Sequence, residues 1–186
     1  MNSFSELLKT RRSTRKFTEQ LLSPEQVELI LKAGLMSPSS KRGTPWQFIV
    51  VEDKETLKKL AGCKPHGAGF LEECALAVVV MADVMSSEAW VEDTSIASIL
   101  MQLQAEDLGL GSCWCQIRGR QTESDEESAQ YVRNLFNVPY QLEVLSVIGF
   151  GYKAQENKPF DESRLQWEKI HIGTYQNPEE NKNLKA

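Results

Sequence analysis

The chain has 186 residues, a length that suits one domain with a real hydrophobic core. Its 21 basic and 26 acidic side chains give a formal net charge of -5, which argues against a general nucleic-acid or anionic-membrane binder. No apolar run approaches the roughly 20 residues that span a bilayer, and the polar stretch Met1–Thr10 lacks the apolar core of a signal peptide, so a cytoplasmic location is expected.

Phe4–Lys9 reads as a short helix with Leu7 and Leu8 on its apolar side. It runs into Thr10–Phe17, TRRSTRKF, where Arg11, Arg12, Arg15 and Lys16 stand beside the hydroxyls of Ser13 and Thr14. Forked guanidiniums and short hydroxyl donors suit a phosphate ester. The bland alternative is a solvated basic turn. In an acidic chain the cluster reads as a local site rather than a broad footprint.

Ser23–Ala33 carries a helix start signal, with Ser23 as N-cap, Pro24 in the first turn and Gln26 completing a capping box. Gly34 is expected to stop it. Ser37–Pro45 reads as a loop. Trp46–Val51 reads as a strand buried on both faces, with Trp46 in the core. Asp53–Leu60 is a helix capped by Asp53, and Gly62–Gly69 an irregular surface segment in which His66 is exposed. Cys74–Met81, CALAVVVM, is the strongest strand signal and is expected to be central.

Ile96, Ile99, Leu100, Leu103 and Leu108 mark a long helix that breaks at Gly109, with Ala97, Met101 and Ala105 widening its apolar surface. A helix apolar nearly all round belongs in a core or a subunit interface. Gly109–Ile117 is a glycine turn entering a strand, on which Cys113 and Cys115 share a face. Ser124–Phe136 is a helix with a Ser124…Glu127 capping box, and Leu142–Gly149 a fourth strand. Asn157–Ser163 reads as an extended arm, and Glu179–Ala186 as a frayed tail. His171, between them, is expected to pack or cap locally. The four cysteines form no CxxC pair, and with two histidines they offer no zinc spacing; buried, reduced thiols are expected, with a redox CxC at Cys113/Cys115 as the alternative. The count gives one domain, residues 1–186, of α+β class: a central mixed sheet of about four to five strands flanked by helices. GxGxxG is absent, which counts against a doubly wound dinucleotide fold.

Three segments in order, RRSTRKF, PSSKRGTPWQF and LGLGSCW, resemble the FMN-dependent nitroreductase family, whose pattern is roughly R-x-S-x-R/K, then P-S-S/G-x-N-x-x-P-W-x-F, then a G-L-G turn and a basic C-terminal arm. The resemblance covers about Ser3–Gly151 and, more loosely, the arm from about residue 153 to Ile172. It implies an intertwined homodimer with FMN at the interface. Arg11, Arg12, Ser13 and Arg15 would hold the phosphate and ribityl end. Pro38, Ser39 and Ser40 would line the ring from the partner subunit. Arg42 stands where the family usually has Asn, so its contact with the flavin pyrimidine edge is an open departure. Trp114, Cys115 and Gln116 fall where a backbone N–H approaches flavin N5, and Lys158 or Arg164 on the arm would reach the phosphate.

The implied activity is ping-pong electron transfer from NAD(P)H through the flavin to small-molecule acceptors such as nitroaromatics or quinones. No side-chain acid, base or nucleophile is expected, since the flavin carries the chemistry. Three other readings stand beside it: an FMN-holding module without efficient turnover, a family member with another reduction such as dehalogenation, and a flavin-free phosphate site for a nucleotide or RNA.

Overall fold

The computed structural model describes residues 3–176. The tail expected at Glu179–Ala186 lies outside the described residues.

The elements run α1 (Phe4–Thr10), α2 (Pro24–Leu35), β1 (Trp46–Val51), α3 (Lys54–Ala61), α4 (Phe70–Glu73), β2 (Leu76–Asp83), α5 (Trp90–Asp107), β3 (Gly111–Gln116), α6 (Ser128–Phe136) and β4 (Leu142–Gly151). The four strands form one sheet in the order β1-β2-β4-β3. All three pairings are antiparallel, and an isolated parallel bridge joins Ser13 to Ser112. β2 and β4 are central, which explains their near-continuous apolar runs: a strand covered on both faces has no polar side.

The two sheet faces carry separate cores. Ala77, Val79, Met81, Cys113, Cys115 and Val147 pack with Leu57, Leu60, Leu71 and Val132 of α3, α4 and α6. Val78, Val80, Ile148 and Phe150 pack with Ile30 of α2 and with Met101 and Ala105 of α5. The shared face expected for Cys113 and Cys115 is present, and all four cysteines are buried and free.

Local chemistry places several boundaries. Ser23 and Gln26 make the reciprocal capping box at the start of α2. The Asp53 carboxylate accepts from Thr56 N–H at 2.9 Å and caps α3. Asn137, left-handed at φ 53°, ends α6 before Pro139.

Four expectations need correction. Gly34 does not stop α2: it lies inside the helix, where a Cβ would sit 3.0 Å from the Met101 sulfur and 3.3 Å from Phe48, so its missing side chain lets α5 approach. β1 is an edge strand with Gln47 and Val50 exposed, so it is not buried on both faces. The Ser124…Glu127 capping box does not form. α6 begins at Ser128, and the preceding residues make a loop closed by a Gln121–Glu127 bridge. Within Gly62–Gly69, Cys63 and Ala68 are fully buried, so only part of that segment is surface.

The long helix α5 is not uniformly apolar in its packing. Thr94, Ser98, Gln102 and Glu106, at i, i+4 spacing, are buried together with Ala97, Met101 and Ala105. Ile96 and Ile99 point outward. Leu100 and Leu103 line a groove of about 410 Å³ with Phe4, Leu7, Ala33 and Met36.

Candidate functional site

The basic segment Arg11–Arg15 is a fixed part of the sheet edge. Thr14 is buried, and its N–H donates to the Ser112 carbonyl at 2.9 Å next to the Ser13–Ser112 bridge. Gly111 makes the approach possible: a Cβ there would lie 2.7 Å from Thr14 Cβ, Cγ2 and Oγ1. Phe17 closes the segment, bridging to Lys153 and packing onto Gly151. The backbone is therefore held while the side chains of Ser13 and Arg15 remain exposed.

The C-terminal arm lies across the same segment. Asn157 Nδ2 donates to Thr14 Oγ1 at 3.1 Å, Phe160 N–H to the Lys9 carbonyl at 2.8 Å, and Lys9 pairs with Glu162 at 3.1 Å. Arg12 sits under the arm, 5.3 Å from the Phe160 ring centroid. One of its nitrogens, Nη1, donates to the Arg11 carbonyl, while the other, Nη2, is buried with no partner among the described residues. A buried unpaired guanidinium nitrogen is costly and calls for an acceptor, ideally an anionic one. The residues present thus fit a bound phosphate. Lys158 and Arg164 are both on the arm, and neither is singled out.

Behind the segment lie three thiols. Burial pushes the Cys113 thiol up, opposed by the Arg15 cation and a hydrogen bond involving Ser13. The Cys63 thiol is pushed up by its hydrogen bond to Cys115 and by burial. Cys63 and Cys115 belong to the same buried core on this face of the sheet. On the other face of β3, Trp114 Nε1 donates to Gln116 Oε1 at 3.0 Å and Gln116 Nε2 to the Arg118 carbonyl at 2.9 Å. Trp114 and Gln116 are half-buried and Cys115 is fully buried.

Pro38, Ser39, Ser40 and Arg42 occupy a separate place, the loop between α2 and β1. A 3₁₀ turn spans Ser40–Arg42, and Lys41, Arg42 and Thr44 all have positive φ (51°, 58° and 44°). Such conformations are uphill for residues with a side chain and cluster at ligand sites. The loop is tied by Thr44 N–H to Ser39 Oγ at 2.9 Å and by Ser40 N–H to Asp93 Oδ1 at 2.8 Å. The structure thus joins Arg11–Arg15, β3 and the arm into one cluster, and anchors the Pro38–Arg42 loop on the first turn of α5.

Sequence reasoning missed Asn157, Phe160 and Asp93. Asn157 and Phe160 stand within a segment recognisable only as an arm, and Asp93 carries no local signal beyond an acid near a helix start. No group of three or more His, Cys, Asp or Glu side chains placed to hold a metal occurs among the described residues. Likewise, no helix among them is long and apolar enough to cross a membrane.

Comparison with known proteins agrees with this architecture. The family model for the Nitroreductase family matches residues 8–66 and 63–152. A protein of Archaeoglobus fulgidus, named provisionally as an NADH dehydrogenase/NAD(P)H nitroreductase, is 35% identical over 176 residues, covering 92% of this chain and 98% of that protein. A solved FMN-dependent nitroreductase from Clostridium difficile R20291 superposes with a TM-score of 0.89 at 42% identity, covering 91% of this chain and 98% of that one. An FMN reductase (NADPH) of Bacillus subtilis is 27% identical over 150 residues, covering 68% of this chain and 58% of that protein. The chain belongs to the nitroreductase family, an oxidoreductase class built on this α+β fold.

Proposed function

We infer that the chain is an NAD(P)H-dependent flavin oxidoreductase that holds FMN and passes electrons to small electron-poor acceptors, nitroaromatics and quinones among them. The observation that carries the reading is the cationic segment locked onto β3 with Arg12 Nη2 buried and unpartnered among the described residues. Family membership and the cofactor named for its relatives support it.

When bound, FMN supplies two-electron redox chemistry, for which no side-chain nucleophile is needed. Arg11, Arg12, Ser13 and Arg15 hold its phosphate and ribityl end by charge-assisted hydrogen bonds. Pro38, Ser39 and Ser40 line the ring from a second subunit, and Arg42 sets a cation near the ring's pyrimidine edge, where negative charge is favoured on reduction. Trp114, Cys115 and Gln116 bring the β3 backbone to the ring, while Lys158 or Arg164 adds a cation from the arm. Donor and acceptor use one pocket in turn, so the first product leaves before the second substrate enters.

A homodimer is part of this reading. α5 turns Ile96 and Ile99 outward, Phe4 and Met36 of the groove are 63% and 74% exposed, and Leu35, next to Met36 in the chain, is 61% exposed. Those apolar surfaces meet a second copy more favourably than water. The chain acts as one domain, with residues from about 153 onward as an arm, in the cytoplasm.

The test is steady-state NAD(P)H oxidation by FMN-loaded protein with menadione or nitrofurazone. Parallel double-reciprocal lines are expected. Intersecting lines overturn the alternating scheme, and absence of flavin-dependent oxidation overturns the catalytic reading in favour of a flavin-holding module.

A further inference from the structure

Asp93 is an acid buried to 2% exposure in the first turn of α5, and it belongs to none of the flavin contacts assigned above. A carboxylate so placed must be held by donors. Its donors come from two different loops. The Ser40 N–H, 53 residues away in the chain, donates to Oδ1 at 2.8 Å. The Ser87 hydroxyl donates to Oδ2 at 3.1 Å. Ser40 belongs to the α2–β1 loop and Ser87 to the β2–α5 connection. The two segments face each other across a polar cavity of about 340 Å³ lined by Ser40, Lys41, Ser86, Ser87 and Glu88.

The first of these loops cannot hold its shape by local preference. Lys41, Arg42 and Thr44 all take positive φ, and none is glycine. Conformations of this kind persist only where the surroundings over-determine them. Within the loop, the Ser39 hydroxyl accepts the Thr44 N–H and closes the curve. Asp93 supplies the anchor from outside it. An acid serving only the α5 dipole would need no partner 53 residues away.

We propose that Asp93 is a positioning residue that fixes the Ser39–Thr44 loop and so sets the ring-side contacts of the flavin. The proposal rests on the FMN reading above. It separates two halves of flavin binding: the Arg11–Arg15 segment acts on the phosphate, and Asp93 acts on the ring through the loop.

The experiment uses the full chain stripped of flavin, as wild type, Asp93→Ala and Asp93→Asn. Each is titrated with FMN and with riboflavin, which lacks the phosphate. Asp93→Ala should weaken both ligands by the same factor, about ten- to a hundredfold, the range for one charge-assisted hydrogen bond. It should also shift the midpoint potential of bound FMN. Asp93→Asn keeps an acceptor oxygen for Ser40 and should recover most of the loss. A second readout needs no flavin: trypsin should cut after Lys41 or Arg42 faster in the variants than in wild type, because the loop is released. Should Asp93→Ala not fold, Asp93→Asn carries both measurements, with smaller effects in the same direction. Unchanged riboflavin affinity together with unchanged cleavage at Lys41 and Arg42 overturns the proposal, as does a loss confined to FMN. A wild-type protein that takes up neither flavin overturns the FMN reading itself, and a faster cut in the variants would then leave Asp93 as an anchor of the loop only.

Discussion

Gly111→Ala tests how the basic segment is held. The new methyl would stand 2.7 Å from three atoms of Thr14, which is itself 2% exposed, so something must shift to admit it. Overpacking of this kind costs about 1–3 kcal/mol. Moving Thr14 would also stretch its N–H bond to the Ser112 carbonyl, 2.9 Å in the native chain, for about 1 kcal/mol more. The total, about 2–4 kcal/mol, corresponds to a fall in Tm of roughly 4–16 °C for a chain of this size. Gly69→Ala is the control, since nothing lies within 4 Å of the methyl it would add and its φ is −54°. It should move stability by no more than about 0.5 kcal/mol. Thermal melting of both variants, followed by circular dichroism, makes the comparison. Equal Tm values for Gly111→Ala and wild type would refute the idea that Thr14 is clamped on β3.

Arg15→Ala should leave the fold intact, because Arg15 is exposed. It should weaken FMN by about 1.5–3 kcal/mol while sparing riboflavin, as read by fluorescence titration. Burial pushes the Cys74 thiol up to about 12 from 9.0. The folded chain therefore keeps that proton where the unfolded chain has lost it, so this thiol's contribution is full below pH 9 and is lost as pH rises toward 12. Cys74→Ala should flatten that alkaline fall in urea-unfolding stability, and Cys74 should resist Ellman's reagent at about pH 8 until denaturant is added. Leu103→Glu places a charge in the groove between α1, α2 and α5; if the proposed homodimer uses this face, the wild type should sediment as a dimer and the variant should shift toward monomer.

Much of the fold can be read from local pattern because the relevant forces are local. The box at Ser23 and Gln26, the cap at Asp53 and the apolar run of β2 each state their own structure. The capping box at Ser124 fails locally, because residues 121–127 close on themselves through the Gln121–Glu127 bridge, whereas other failures turn on a partner remote in the chain. Gly34 looks like a helix stop until Met101 and Phe48 are seen against it. β1 has the composition of a central strand but ends the sheet. In α5, the polar ladder Thr94–Ser98–Gln102–Glu106 is visible as an i, i+4 series, yet only packing reveals that it faces inward: Glu106 meets Lys153 at 3.0 Å, a partner 47 residues away. At the site, the clustered cations of Arg11–Arg15 are visible in the sequence and carry the chemistry on which the phosphate proposal rests. The arm that crosses this segment and the acid that anchors the Pro38–Arg42 loop are not legible in the same way, because Asn157 and Asp93 gain their meaning from Thr14 and Ser40.

Everything proposed for the site depends on this chain carrying FMN, and the visible absorbance spectrum of freshly purified protein answers that, with chromatography of whatever heat releases. A yellow protein that releases about one FMN per chain is expected. A colourless protein that also fails to take up added FMN would contradict the flavin reading, and would return Arg11–Arg15 to a surface turn or to a site for some other phosphate.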